Sequence, residues 1–248
     1  MELLIPVILG ASLCAGFIQG FSGFGSVLVA LPILLTVLDV RAAVPLVSLV
    51  ALSINVVMVL RLHGHIERGS MKMLLLGSVP GMAVGAWLLE GASDSLIKGL
   101  LGAIILAMVT QSVTTTKPRA HIGKGWTLVA GFLSGCIGPV TGANGPPVIA
   151  WAARQPWGRD ALRATLTFYF LLTGIGLVGI QGAQGLVSFD ILKLYALALP
   201  ALLAGLWAGG AACGKVNERT FRAVVLTLLG IIGLTMIWQA GKAALGTL

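Results

Sequence analysis

Polar side chains are scarce in the apolar stretches of this 248-residue chain, and four of them, Ser22, Ser26, Thr141 and Asn144, stand at glycine-rich interruptions. The first interruption lies in GFIQGFSGFGSVLVALPIL, residues 16–34, and the second in GFLSGCIGPVTGANGPPVIAW, residues 131–151. Gly20, Gly23 and Gly25 relax the backbone constraints that hold a helix straight, and an interrupted helix leaves N–H and C=O groups that lipid cannot satisfy. Such backbone must be buried in protein or line a wet cavity. In the second stretch Pro139 is expected to end one half-helix and Asn144 to cap the next, with Pro146 in its first turn. The positive end of that half-helix would point inward, where free N–H groups can bind an anion without a charged side chain. The candidate site takes Gln19, Ser22, Gly23, Phe24, Gly25 and Ser26 from the first interruption, and Thr141, Gly142, Ala143, Asn144 and Gly145 from the second. Asn55 joins them, because its amide lies inside another apolar segment and is costly there unless paired. Glycines four apart can instead serve close helix packing, and Gly81 and Gly85 are read that way.

The elements that position these residues follow from composition. With 57% hydrophobic and 10% charged residues and a mean hydropathy of +1.01, the chain cannot clothe a water-soluble surface. Apolar segments fall at 3–37, 42–60, 71–89, 95–112, 126–152, 161–181, 189–212 and 220–240. Several reach the roughly 20 residues a helix needs to cross a bilayer, so an all-α polytopic membrane protein is expected. The short alternating strands of a membrane barrel are absent. Glu2 stands where a signal peptide would be positive, and the first apolar run is too long for one. The net charge of +8 is spread over short loops without an aromatic-laced basic patch, which argues against a nucleic-acid partner. Cys14, Cys136 and Cys213 follow no metal spacing and read as small core residues. His63, His65 and His121 read as solvated loop residues. No metal and no cofactor are expected. Trp87, Trp126, Trp151, Trp157 and Trp207 lie mostly near segment ends and read as interface anchors.

The segments form two repeats. GFIQG at 16–20 returns as GFLSG at 131–135, and Pro32 and Pro147 share that offset. VPGMAVGAWL at 79–88 matches LPALLAGLWA at 199–208, and LIKGLLGAI at 96–104 resembles TFRAVVLTLLG at 220–230, pairing Lys98 with Arg222. Residues 1–112 are thus a first repeat, 113–125 a cytoplasmic linker and 126–248 a second repeat, together one transmembrane domain.

Charge suggests how the repeats are oriented. If the first segment of each dips in and returns on the same side, the loops 61–72, 113–125, 153–163 and 213–222 share one face. They carry twelve Lys and Arg, leaving Arg41, Lys98, Lys193 and Lys242 opposite. That asymmetry obeys the positive-inside rule and favours inverted repeats, each opening with a glycine-broken or re-entrant helical pair, with both termini outside the cytoplasm. Arg163 then reads as a cytoplasmic topology charge and Arg41 as the better lure for an anion. No buried basic side chain is expected. Tyr169 and Thr167 are weaker candidates for facing the site, as is Ser53.

The two glycine-rich stretches and the four-plus-four layout resemble the TauE/SafE sulfite exporter family, also called the TSUP permeases, over nearly the whole chain. Many members carry a run of glycines where this chain has Gly25-Ser26-Val27. The resemblance implies a secondary transporter of small sulfur-containing anions such as sulfite, sulfoacetate or other organosulfonates, in the plasma (inner) membrane of a bacterium. Alternating access would place the site between the two broken-helix tips. Membrane lipid is the other expected partner. None of the eight acidic residues falls in mid-segment, so the coupling ion, proton or sodium, is not identified, and a homo-oligomer is left open. An intramembrane enzyme would need a nucleophile with a base, or a metal cluster, at membrane depth. Neither appears, so there are no catalytic residues to assign. A passive anion channel uses the same backbone devices and is the alternative, ahead of a non-transporting scaffold.

Overall fold

The computed structural model describes residues 3–91, 93–114 and 123–213, with further positions between 226 and 242. Most of the 113–125 linker, of the basic stretch 213–222 and of TFRAVVLTLLG, including Arg222, lies outside the described residues, as does His121. Among the described residues the chain is helical, without strands: α1 Leu4–Ser22, α2 Ser26–Leu34, α3 Val40–Leu62, a 3-10 turn at His63–His65, α4 Met71–Gly91, α5 Asp94–Thr114, α6 Lys124–Thr141, α7 Gly145–Ala152, α8 Arg159–Ala183 and α9 Phe189–Ala212. Five are long and apolar enough to cross a membrane: α1, α3 with its 3-10 extension, α4, α8 and α9.

Left-handed glycines make both interruptions. α1 stops at Gly23 (φ 88°), whose N–H donates to the Gln19 carbonyl, and Gly25 (φ 96°) then launches α2. α6 stops in the same way at Gly142 (φ 68°), whose N–H donates to the Gly138 carbonyl. A side chain in that backbone region would be strained, so glycine is the residue the turn requires. Two expectations are corrected here. Pro139 lies inside α6 and does not end it; one missing hydrogen bond is tolerated, and the left-handed residue sets the stop. Gly20 is an ordinary helical residue with a packing role, described below. The second interruption also comes one helical turn later after its motif than the first, so Pro32 is the seventh residue of α2 whereas Pro147 is the third of α7. The two prolines are not structural counterparts.

After each stop the chain folds back. The Ser134 hydroxyl donates to the Asn144 carbonyl, although ten further residues of straight helix would have carried residue 144 about 15 Å away. The Ser26 N–H likewise returns to the Gln19 side chain, 3.2 Å away. α2 therefore packs on α1, and α7 on α6.

Small residues set the long contacts. α1 lies against α9, α4 against α6, and α3 against α8. At the first contact the space a Cβ would need on Gly16 is filled by the Leu202 carbonyl, and on Gly209 by the Phe17 carbonyl. At the second, the Phe132 carbonyl blocks Gly81 and the Leu74 carbonyl blocks Gly131. Backbones touch here, which maximises dispersion contact where lipid offers no hydrophobic driving force. The GFIQG and GFLSG glycines are therefore packing residues in α1 and α6, upstream of the actual breaks. Trp87, Trp126, Trp207 and Trp238 each stand more than two-thirds exposed on the outer surface. Trp151 does not join them: it is buried, edge-on to Trp157, with its Nε1–H donating to Thr127 Oγ1 at 3.0 Å.

Candidate functional site

A cavity of about 40 Å³ opens between the two interruptions. That is room for about three water molecules, at roughly 10–15 Å³ each. Gln19, Gly25, Ser26, Val27 and Leu28 line it from the first interruption, and Gly142, Ala143, Asn144 and Gly145 from the second, with Ile149 of α7 beside them. The remaining wall is one face each of α3 and α8. Ser48, Ala51, Leu52 and Asn55 recur at helical spacing along α3, and Phe170, Gly174 and Leu177 do so along α8.

The polar groups are neutral and mutually held. Gln19, 2% exposed, accepts the Ser26 N–H on Oε1 and donates from Nε2 to Asn55 Oδ1, each at 3.2 Å. One amide thus ties the start of α2 to α3. The next N–H groups, on Val27 and Leu28, lie in the first turn of α2, where the helix supplies no acceptor. Opposite them, Asn144 occupies the N-cap position of α7, but its side chain does not cap. Its Nδ2 donates instead to Thr173 Oγ1 of α8 at 2.8 Å. Pro146 and Pro147 have no N–H, so α7 presents fewer donors than α2. The donor-rich lip is the first interruption, where the sequence had pointed to the second.

Four predicted site residues lie off the cavity wall. Ser22 Oγ lies 2.7 Å from the carbonyls of both Ile18 and Phe24, to either of which its one proton can go, and so closes the α1 turn on itself. Thr141 Oγ1 donates to the Ile137 carbonyl and accepts the Ala143 N–H, doing the same for α6. Gly23 packs on Arg163, and Phe24 packs into the apolar cores. Ser53, on another face of α3, meets Tyr195 OH at 2.5 Å. Tyr169 is fully buried behind the wall, 2.7 Å from Ser78 Oγ and donating to Ser134 Oγ at 2.8 Å, and Ser134 in turn holds the Asn144 carbonyl. Thr167, also fully buried, leaves its hydroxyl without a partner.

Ser48 was missed, although it stands seven residues before Asn55 and thus on the same helix face. It accepts from Gln181 Nε2 at 3.1 Å. Arg163 is the larger correction. It is not a solvated topology charge but is buried, 9% exposed, and donates from Nη2 to the Gly20 carbonyl at 2.7 Å and from Nη1 to Cys213 Sγ at 3.5 Å. The exposed C-terminal carbonyls of α1 attract it there. Arg41, its sequence counterpart, is exposed at the start of α3.

The comparisons with known proteins agree on one family. The family described as sulfite exporter TauE/SafE matches residues 8–236. A relative from Cupriavidus necator described as a probable sulfite/organosulfonate exporter TauE is 28% identical over 250 residues, covering 98% of each chain. No solved structure matches the chain. With a matched region that takes in both interruptions, the nine helices named above except the first turn of α1, and the cavity between the interruptions, the chain belongs to the sulfite exporter TauE/SafE family.

Proposed function

We propose that this protein is a secondary transporter of small sulfur oxyanions and organosulfonates in a bacterial inner membrane, with its substrate held between the two interruptions. The observation that carries the reading is that both breaks line one cavity, whose wall includes the first turn of α2, Ser26 to Leu28, at the positive end of that helix, with Gln19, Asn55 and Asn144 around it. Neutral donors suit an anion that must bind and leave.

Inversion of the two repeats supplies the alternating access. A helical pair that returns to the side it entered adds no net crossing, so a unit of hairpin plus three helices leaves the chain on the opposite side from where it began. The exchange of partners, α1 with α9 and α6 with α4, is what a two-fold relation between the units requires, and the charge asymmetry of the loops supports outward termini and a cytoplasmic linker.

The test is transport in proteoliposomes. Wild-type protein should take up radiolabelled sulfite saturably and show counterflow, which a channel would not. Asn144→Ala should weaken substrate binding at least fivefold, while Ser22→Ala, whose hydroxyl only closes the α1 turn, should leave binding within twofold. Equal effects of the two substitutions would place the site elsewhere.

A further inference from the structure

Arg163 is a buried cation without a counter-charge. No carboxylate among the described residues pairs with it, and its Nε–H, although buried, has no hydrogen-bond partner. Its two filled contacts are a backbone carbonyl and a thiol, both neutral. Retaining a guanidinium in such a place is unfavourable unless a negative partner visits it. Capping the end of α1 accounts for one of the Arg163 nitrogens. It does not account for Nε.

The place of that nitrogen is informative. Built onto Gly23, a Cβ would stand 2.9 Å from Arg163 Nε, so the unpartnered donor lies against the α1–α2 turn. Two residues further on, Gly25 lines the substrate cavity. The turn Gly23–Gly25 is thus a partition three residues long, of which only Phe24 carries a side chain, and that side chain packs into the apolar cores. On one side is the neutral cavity and on the other a fixed positive charge. Both glycines hold left-handed backbone, so the partition has no Cβ at either end.

We infer that Arg163 is a second, transient anion subsite, reached when the α1–α2 turn shifts: the substrate leaves the cavity donors, displaces the Gly20 carbonyl from the guanidinium and sits bidentate on Nε and Nη2 before release at the N-terminal end of α8. An arginine edge matches two oxygens of sulfite or a sulfonate. A positive charge one step beyond a neutral site draws the anion through the partition, and the Gly20 carbonyl then displaces it by reclaiming the guanidinium. The inference rests on the transport reading above.

Arg163→Gln tests it in proteoliposomes with sulfite and methanesulfonate, alongside equilibrium binding and thermal unfolding of the same preparations. A folded variant that binds methanesulfonate within twofold of wild type, yet transports at least tenfold more slowly and with a flatter dependence of rate on salt, is the expected result. Arg163→Lys should recover part of the rate. Transport within twofold of wild type, or binding and transport lost in parallel, overturns the inference. Should Arg163→Gln not fold, the native arginine can be followed through its neighbour. In a Cys14→Ser, Cys136→Ser background, saturating methanesulfonate should change the rate of Cys213 alkylation by iodoacetamide at least threefold in either direction, because a guanidinium released from the Gly20 carbonyl turns toward the anion and carries its Nη1 contact to the sulfur with it, and an unchanged rate overturns it. If the wild type itself moves neither anion, the transport reading fails first, which is a distinguishable outcome.

Discussion

Replacing Gln19 by Glu changes one cavity residue in charge while keeping its shape. The carboxylate still accepts the Ser26 N–H, and Asn55 can turn its amide to donate to the other oxygen, so the network that anchors α2 survives. What changes is the potential inside a cavity of about 40 Å³. An anion filling so small a space lies about 5 Å from the new carboxylate, and at an effective dielectric constant of about 20 the repulsion is about 3 kcal/mol. That is more than 100-fold in affinity. Gln19→Met is the neutral control. It deletes the acceptor and the donor, leaves the Ser26 N–H to the ligand, and should weaken binding by about 1 kcal/mol, or about fivefold. Calorimetric titration of purified protein with methanesulfonate, whose charge is constant across the working pH range, reads both. Gln19→Glu binding that stays within threefold of wild type as the pH is raised to about 9, where a carboxyl buried at this depth is ionised, would mean that the cavity holds no anion, and the reasoning from helix ends to substrate would fail with it.

Gly205→Ala should cost about 1–3 kcal/mol, because the Leu13 carbonyl occupies the space of the new methyl. Gly10→Ala, with nothing within 4 Å of its Cβ position, should be neutral or stabilising by up to about 1 kcal/mol; thermal unfolding in detergent compares the two. For orientation, single cysteines at positions 245 and 120 should be labelled by an impermeant maleimide from outside and from the cytoplasmic side respectively, and the reverse pattern would invert the assignment.

The interruptions are legible in the sequence because left-handed backbone is affordable for few residues other than glycine, and Gly23, Gly25 and Gly142 supply it. The long spans are legible for the equally simple reason that spans need length and apolarity: α3, α4, α8 and α9 fall on the apolar segments 42–60, 71–89, 161–181 and 189–212. What the sequence hides is register between helices. Gly16 and Gly20 look like parts of the break, but their use is decided by the α9 backbone passing over them. Arg163 follows a basic loop and so reads as solvated; only the fold brings it to the end of α1, some 140 residues earlier in the chain. Ser22 and Thr141 look exposed to the cavity by type and place, yet a hydroxyl one residue from a helix end is drawn to the local carbonyls, and both were.

The pairing of α1 with α9 has a consequence for synthesis. At about 5–20 residues per second, the residues of α9 that cover Gly16 emerge roughly 10–40 s after it, whereas α6 follows α4 within about 10 s. During that interval α1 must wait in the bilayer with a bare glycine face at Gly16 and Gly20. Insertion of this chain therefore needs either a holding surface, supplied by the insertion machinery, or a provisional partner among α2 and α3. Truncation before α9 should leave α1 prone to slip its position or to be degraded, although no residue of α1 has changed.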